Sequence, residues 1–170
     1  MLQAKEILDH ASRLLAASSG AEIELRRAVS ASYYAVFHLI SDAVGQQVCP
    51  PNPPGLRERC QRALDHRAMK NAMAMFVTPE SVKRLSTAIG VPCAFSHDIA
   101  AIAQAFADLQ DARHLADYDV LDPESIVGFS WGSGCIDQAR HVFEIWDRVR
   151  LTDEARFFLA SLVFGNKWAK

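Results

Sequence analysis

The chain has 170 residues, of which 50% are hydrophobic and 22% charged, and carries a formal net charge of −2. That length suits one domain with a proper core, and the composition is that of an ordinary globular protein rather than a disordered or fibrous one. The charge balance argues against an obligate duplex-DNA binder but leaves room for a local basic patch.

In chain order, Leu2 to Ala17 places Ile7, Leu8, Leu14 and Leu15 at helical spacing. Ser18-Ser19-Gly20 interrupts it, and Ser19 followed by Glu22 has the capping-box pattern that starts a helix. The second helix is expected from Ala21 to about Gly45, with Val29, Tyr33, Val36 and Ile40 as its core stripe. Gly45 to Gly55, with Pro50, Pro51, Pro53 and Pro54, is expected to be a stiff loop, because proline cannot continue a helix and extends its predecessor. One helix is expected from about Leu56 to Phe76. A short one follows from Pro79 to Ile89, with Thr78 before it and proline at its first position. Gly90-Val91-Pro92 breaks the chain. Ser96 is placed to cap a helix to about Tyr118 with Ile99, Ile102, Ala103, Phe106, Leu109 and Leu115 on its core face. Asp122-Pro123-Glu124 starts a turn or a helix, and the glycine-rich Phe129 to Gly134 reads as a kink or loop. A further helix covers about Ser133 to Arg150, with Ile136, Val142, Phe143, Ile145, Trp146 and Val149 as apolar positions. Thr152 caps a last helix through about Phe164, apolar on most of its surface, which needs cover from its own bundle or a subunit interface; the interface is favoured. No segment reads as a strand or repeat, so the expected class is all-α.

Met1 to Asp9 carries Lys5, Glu6 and Asp9 without an apolar core, so no signal peptide is expected. No apolar run reaches the roughly 18 residues of a membrane span. Cys49, Cys60, Cys93 and Cys135 are widely separated and form no CxxC pair. They read as thiols of a reduced, cytoplasmic chain, without a zinc ribbon.

The second helix carries Arg27, Ser30, Ser32, Tyr33-Tyr34-Ala35 and Phe37-His38; the middle of the chain carries Asp65-His66-Arg67-Ala68-Met69; and Arg113 is followed by Ala116-Asp117-Tyr118. In that order, over about residues 1–150, these segments resemble the HEPN-domain family of small stand-alone helical proteins. The resemblance implies an up-and-down bundle of four or five helices over residues 1–150, to which the sequence pattern adds a C-terminal helix over residues 151–170, packed on the bundle or in a subunit interface. It implies a homodimer. It also implies an association with RNA or a nucleotide, and pairing with a minimal nucleotidyltransferase in a toxin–antitoxin or defence setting. Active ribonucleases of the family place a histidine a short spacer after the late arginine. Here His114 follows Arg113 directly and the next histidine is His141, while the spacing from Arg59 to His66 falls on an earlier helix and is read as coincidence. The resemblance therefore implies an RNA- or nucleotide-associated binding and regulatory protein. A divergent metal-independent ribonuclease is the first alternative, and a purely structural interaction module the second.

Within this frame Arg113, His38 and Tyr118 are the catalytic candidates, and Arg27, Tyr34, His38, Arg113, Asp117 and Tyr118 the ligand-binding ones. Arg113 and Asp117 share a helix face and can pair. The arginine could instead hold a phosphate while Tyr118 stacks or becomes the target of a nucleotidyl-transferring partner. The competing reading is an ion pair and ring that close the bundle. Arg27, Ser30, Tyr34 and His38 form a second polar strip, and His38 is the natural acid–base candidate. Arg57, Arg59, Arg62, Arg67 and Lys70 face only Glu58 and Asp65, and could follow a nucleic-acid backbone or form a solvated helix face. Gly128-Phe129-Ser130-Trp131-Gly132 matches the nucleophile-elbow pattern, but without the strand that elbow requires. No cofactor is expected. One Asp111-to-His114 pair and the scattered histidines give no metal site.

Overall fold

The computed structural model describes residues 2–49, 55–90, 92–118 and 128–168, with side chains from Gln3 to Phe164. Of the loop expected from Gly45 to Gly55, residues 50–54 lie outside the described residues, as does the helix start expected at Asp122–Glu124, while the second helix continues through Gly45 to Gln47. Within them every regular element is helical: α1 (Leu2–Ala17), α2 (Glu22–Gln47), α3 (Leu56–Arg62), α4 (His66–Met73), a 3-10 turn (Ala74–Phe76), α5 (Pro79–Ile89), α6 (His97–Tyr118), α7 (Phe129–Val149) and α8 (Asp153–Trp168). The all-α class expected from the sequence therefore holds. Among the described residues no helix is long and apolar enough to cross a membrane.

Helix α1 has the expected bounds, but its buried stripe is Ala4, Leu8, Ala11 and Leu15, one position each one or so turns apart. Ile7 and Leu14 are only half-buried. Ser19 does not cap α2. It has φ 46° and is followed by Gly20 at φ 85°, so the chain turns away before the helix starts. The Ala21 carbonyl instead accepts from the N–H groups of Glu24 and Leu25, and Ser18, which is buried, donates its hydroxyl to the Leu15 carbonyl. The core stripe of α2 lies where its spacing put it, with Val29, Tyr33, Val36 and Ile40 all buried.

The single helix expected from Leu56 to Phe76 is broken into α3, α4 and the 3-10 turn. Asp65 takes an extended backbone, φ −98° and ψ 136°, and its carboxylate accepts the Ala68 N–H at 2.8 Å. An aspartate that satisfies the first turn of a new helix in this way ends the preceding one. Thr78 caps α5 by accepting from the Ser81 N–H, Pro79 occupies its first turn, and Gly90 closes it at φ 69°, a left-handed backbone suited to glycine. Thr152 caps α8 in the same manner through the Ala155 N–H at 3.1 Å. The glycine-rich stretch read as a kink is the first turns of α7. Gly132 faces α1 there, and a Cβ on it would stand 3.0 Å from Leu15 Cδ1. The glycine that suggested a break instead permits close helix packing.

The chain divides into two compact units, residues 1–39 with 108–144, and residues 40–107 with 145–170. The first has a core of the α1 stripe with Leu25, Val29, Tyr33 and Val36 of α2, Leu109 of α6, and Ile136, Ala139 and Val142 of α7. In the second, Phe76 lies edge-on to Phe95 at 4.8 Å and to Phe158 at 5.0 Å between ring centres. Ala155, Phe158, Leu159 and Leu162 of α8 are buried in that unit, so much of the helix expected to seek a subunit interface is covered by its own chain, while Phe164 is exposed. Leu115, placed on the core face of α6 by its spacing, is 45% exposed.

Candidate functional site

In the first unit α2 and the end of α6 are joined by two polar rungs. Ser30 and Tyr34 stand one turn apart on α2, and Arg113 and Asp117 one turn apart on α6, so each pair lies on one face. The Ser30 hydroxyl donates to Asp117 Oδ1 at 2.6 Å, and an Arg113 terminal nitrogen donates to the Tyr34 hydroxyl at 3.2 Å. Arg113 Nε lies 2.5 Å from Asp117 Oδ2, off the axis of its N–H, so this contact is ionic rather than a hydrogen bond. Three contacts link the four side chains in series, and the α2 turn between Ser30 and Tyr34 completes a ring.

The guanidinium carbon of Arg113 stands 5.7 Å from the Tyr34 ring centre and 5.5 Å from that of Tyr118, within cation–π range of both. Tyr118 is 65% exposed, with His114 beside it at 5.0 Å between ring centres. Burial alone would lower the Arg113 pKa, but Asp117, Tyr34 and Tyr118 together raise it above the ordinary arginine value. Arg113 is thus a fixed cation. It can hold an anion or stack, but it carries no proton between reactants.

Arg26, which the sequence reading passed over, sets this geometry. It is 7% exposed and donates to the carbonyls of Leu115 and Ala116 at 3.0 and 3.2 Å, while its Nε donates to Glu22 at 2.7 Å. The last carbonyls of a helix have no partner within it, and Arg26 supplies one from α2 at the turn that carries Asp117 and Tyr118. The four-residue step from Glu22 to Arg26 was the available signal; its long-range use was not.

The other candidates on α2 stand apart from the ring. Arg27 is exposed and pairs with Glu24 at 3.5 Å. His38 is half-buried, one turn beyond Tyr34, with its ring edge-on to Phe37 at 5.7 Å; among the described residues no hydrogen bond or ion pair joins it to Arg113. Beside the ring lies a groove of about 510 Å³, walled by Ile7 and Leu14 of α1 and Ile23 of α2, and edged by His10, Arg27, Tyr34 and Asp117.

The basic residues belong to the second unit, and the break at Asp65 divides them between two short helices. Arg59, Arg62 and Arg67 are exposed. Arg57 is half-buried and donates to the Gly45 carbonyl at 3.0 Å, so it acts first as an anchor. Ser130 of the elbow-like pattern sits in the first turn of α7, not above a strand.

Two cysteines that looked remote in sequence meet in the fold: Cys49 and Cys60 form a disulfide, correcting the reading of four thiols. Cys93 and Cys135 remain thiols, and burial pushes Cys135 up to about 11 from an ordinary 9.0. A group with a raised folded-state pKa adds stability that is complete below its unfolded pKa and lost as the pH rises through the folded one. The Cys135 contribution should therefore decline between pH 9.0 and about 11. At pH 8 its thiolate fraction should be about a hundredth of an ordinary cysteine's. Iodoacetamide at that pH should label Cys93 first, and comparable labelling of Cys135, read by peptide mass, would contradict its burial.

No family model matches the chain, and no curated protein or solved structure matches it.

Proposed function

We propose that the protein is a HEPN-like binding and regulatory protein that engages single-stranded RNA or a nucleotide at the Arg113 ring. In this reading it is a cytoplasmic homodimer with an up-and-down HEPN bundle, and it pairs with a minimal nucleotidyltransferase in a toxin–antitoxin or defence setting. The observation that carries the reading is the Arg113 guanidinium within cation–π range of both the Tyr34 and Tyr118 rings, with Tyr118 largely exposed. An arginine serves a phosphate by charge and directed N–H donors, and an exposed ring gives a base a surface on which to stack. Binding is favoured over cleavage because His38 is not hydrogen-bonded into the ring and Arg113 cannot act as an acid or base at neutral pH.

The test is fluorescence anisotropy of labelled single-stranded RNA with the wild-type chain and Tyr118→Ala, followed by a gel of the same mixtures. Tyr118→Ala should weaken binding by about tenfold, the loss of one stacked base, and the RNA should emerge intact. Cleavage that disappears in Arg113→Ala would replace this reading with the ribonuclease one. Absence of binding to RNA and to nucleotides would leave a structural staple.

A further inference from the structure

We propose that the Cys49–Cys60 disulfide is a reversible redox latch that fastens α3 to the end of α2. Helix α3 has seven residues and none of them is buried. A helix of two turns does not persist by its own backbone hydrogen bonds, so its position depends on what ties it down. Among the described residues its ties include the Cys49–Cys60 bond, the hydrogen bond from Arg57 Nε to the Gly45 carbonyl at 3.0 Å, and the one from Gln61 Nε2 to Asp42 Oδ1 at 3.0 Å. The last two are half-exposed polar contacts for which water competes. At Gly45 the Arg57 and Gln61 side chains lie against α2 backbone, since a Cβ there would stand 2.7 Å from Arg57 Cγ. No apolar core of α3 therefore replaces the covalent tie when it is broken.

Two further observations favour a switch over a structural framework. Half of the cysteines stay as thiols, unlike a chain stapled throughout by disulfides. The two sulfurs also differ in access, Cys49 being buried and Cys60 half-buried. A dithiol reductant can attack Cys60 Sγ through its thiolate, forming a mixed disulfide and expelling Cys49 as a thiolate that takes a proton. Its second thiolate then attacks its own sulfur in the mixed disulfide and releases Cys60, which is protonated in turn. The protein disulfide gains two electrons and two protons, and the dithiol loses them as it closes to a disulfide. A small disulfide such as oxidised glutathione reverses the exchange. The released segment carries Arg59 and Arg62, so the redox state decides whether these two cations keep a fixed place next to α2.

The test uses the full chain treated with oxidised glutathione or with dithiothreitol, then cut briefly with trypsin and mapped by mass spectrometry. The oxidised sample should contain a linked Cys49–Cys60 peptide. The reduced one should be cut at Arg59 and Arg62 about tenfold faster, with cleavage at Arg13 of α1 unchanged, because proteolysis follows the population of locally opened chain. Cys60→Ser should be cut at the fast rate under both conditions. No linked peptide after oxidation, equal cleavage at Arg59 and Arg62 in both states, or slow cleavage of Cys60→Ser would each overturn the proposal. Should Cys60→Ser misfold, the two wild-type measurements decide. None of these readouts involves RNA, so the latch stands or falls apart from the proposed function.

Discussion

Arg26→Ala should lower the unfolding free energy by about 2–3 kcal/mol, the largest single effect expected of any polar residue near the site. Hydrogen bonds from a charged group are worth more than neutral ones, and Arg26 makes two of them to carbonyls of another helix while nearly buried. Its removal strands the Ala116 carbonyl, whose hydrogen bond is buried, and leaves the Leu115 carbonyl to partial contact with water. The neighbouring Arg27→Ala is the natural control. Arg27 is exposed and pairs with Glu24 at 3.5 Å, and its loss should fall within about 0.5 kcal/mol. Two adjacent arginines on one helix thus differ severalfold because burial, not charge, decides the cost. Urea unfolding followed by circular dichroism and by tryptophan fluorescence checks this, provided the slope with denaturant stays unchanged. Arg26→Lys should recover only part of the loss, since a single ammonium cannot span both carbonyls and Glu22. Equal stability of Arg26→Ala and Arg27→Ala would show that the end of α6 is held by something else.

The parts of this fold that were legible in the sequence are those written in local chemistry. Thr78-Pro79 and Thr152 announce helix starts because a hydroxyl cap and an early proline act within one turn. Val29, Tyr33, Val36 and Ile40 announce a buried face because their spacing follows the helix period. What was not legible depends on partners distant in sequence. Gly132 looks like a breaker until Leu15 is known to lie against it. Cys49 and Cys60 look unrelated until α3 folds back on α2. Asp65 lies between, since an aspartate in a polar run reads equally as a surface residue or as a cap that divides one helix into two. The candidate site divides the same way. The Arg113–Asp117 pair follows from a spacing of four, whereas the choice of Ser30 and Tyr34, not Arg27 and His38, as its partners depends on how two helices are set side by side.

The Arg113 ring is open to a test that separates a binding site from a staple. Arg113→Ala should cost about 1 kcal/mol or less in stability, because Asp117 keeps its Ser30 hydrogen bond and both charged side chains retain some contact with water. On the binding reading the same substitution should weaken RNA affinity by about tenfold or more, the loss of a charged, directed phosphate contact. Arg113→Lys should restore the charge but not the affinity, since a single ammonium lacks the planar fork that reaches both Tyr34 and Asp117. Asp117→Asn gives the sharper distinction. In the free protein Asp117 competes with an incoming phosphate for the Arg113 guanidinium, so removing its charge should tighten RNA binding and steepen its dependence on salt. A staple predicts the opposite pattern: Asp117→Asn would destabilise the chain and leave RNA affinity unchanged. Combining Arg113→Ala with Asp117→Asn isolates the coupling, because any gain caused by freeing Arg113 must vanish when Arg113 is absent. Persistence of the gain in the double variant would mean that Asp117 repels RNA directly, and Arg113 would then lose its place as the phosphate-binding group.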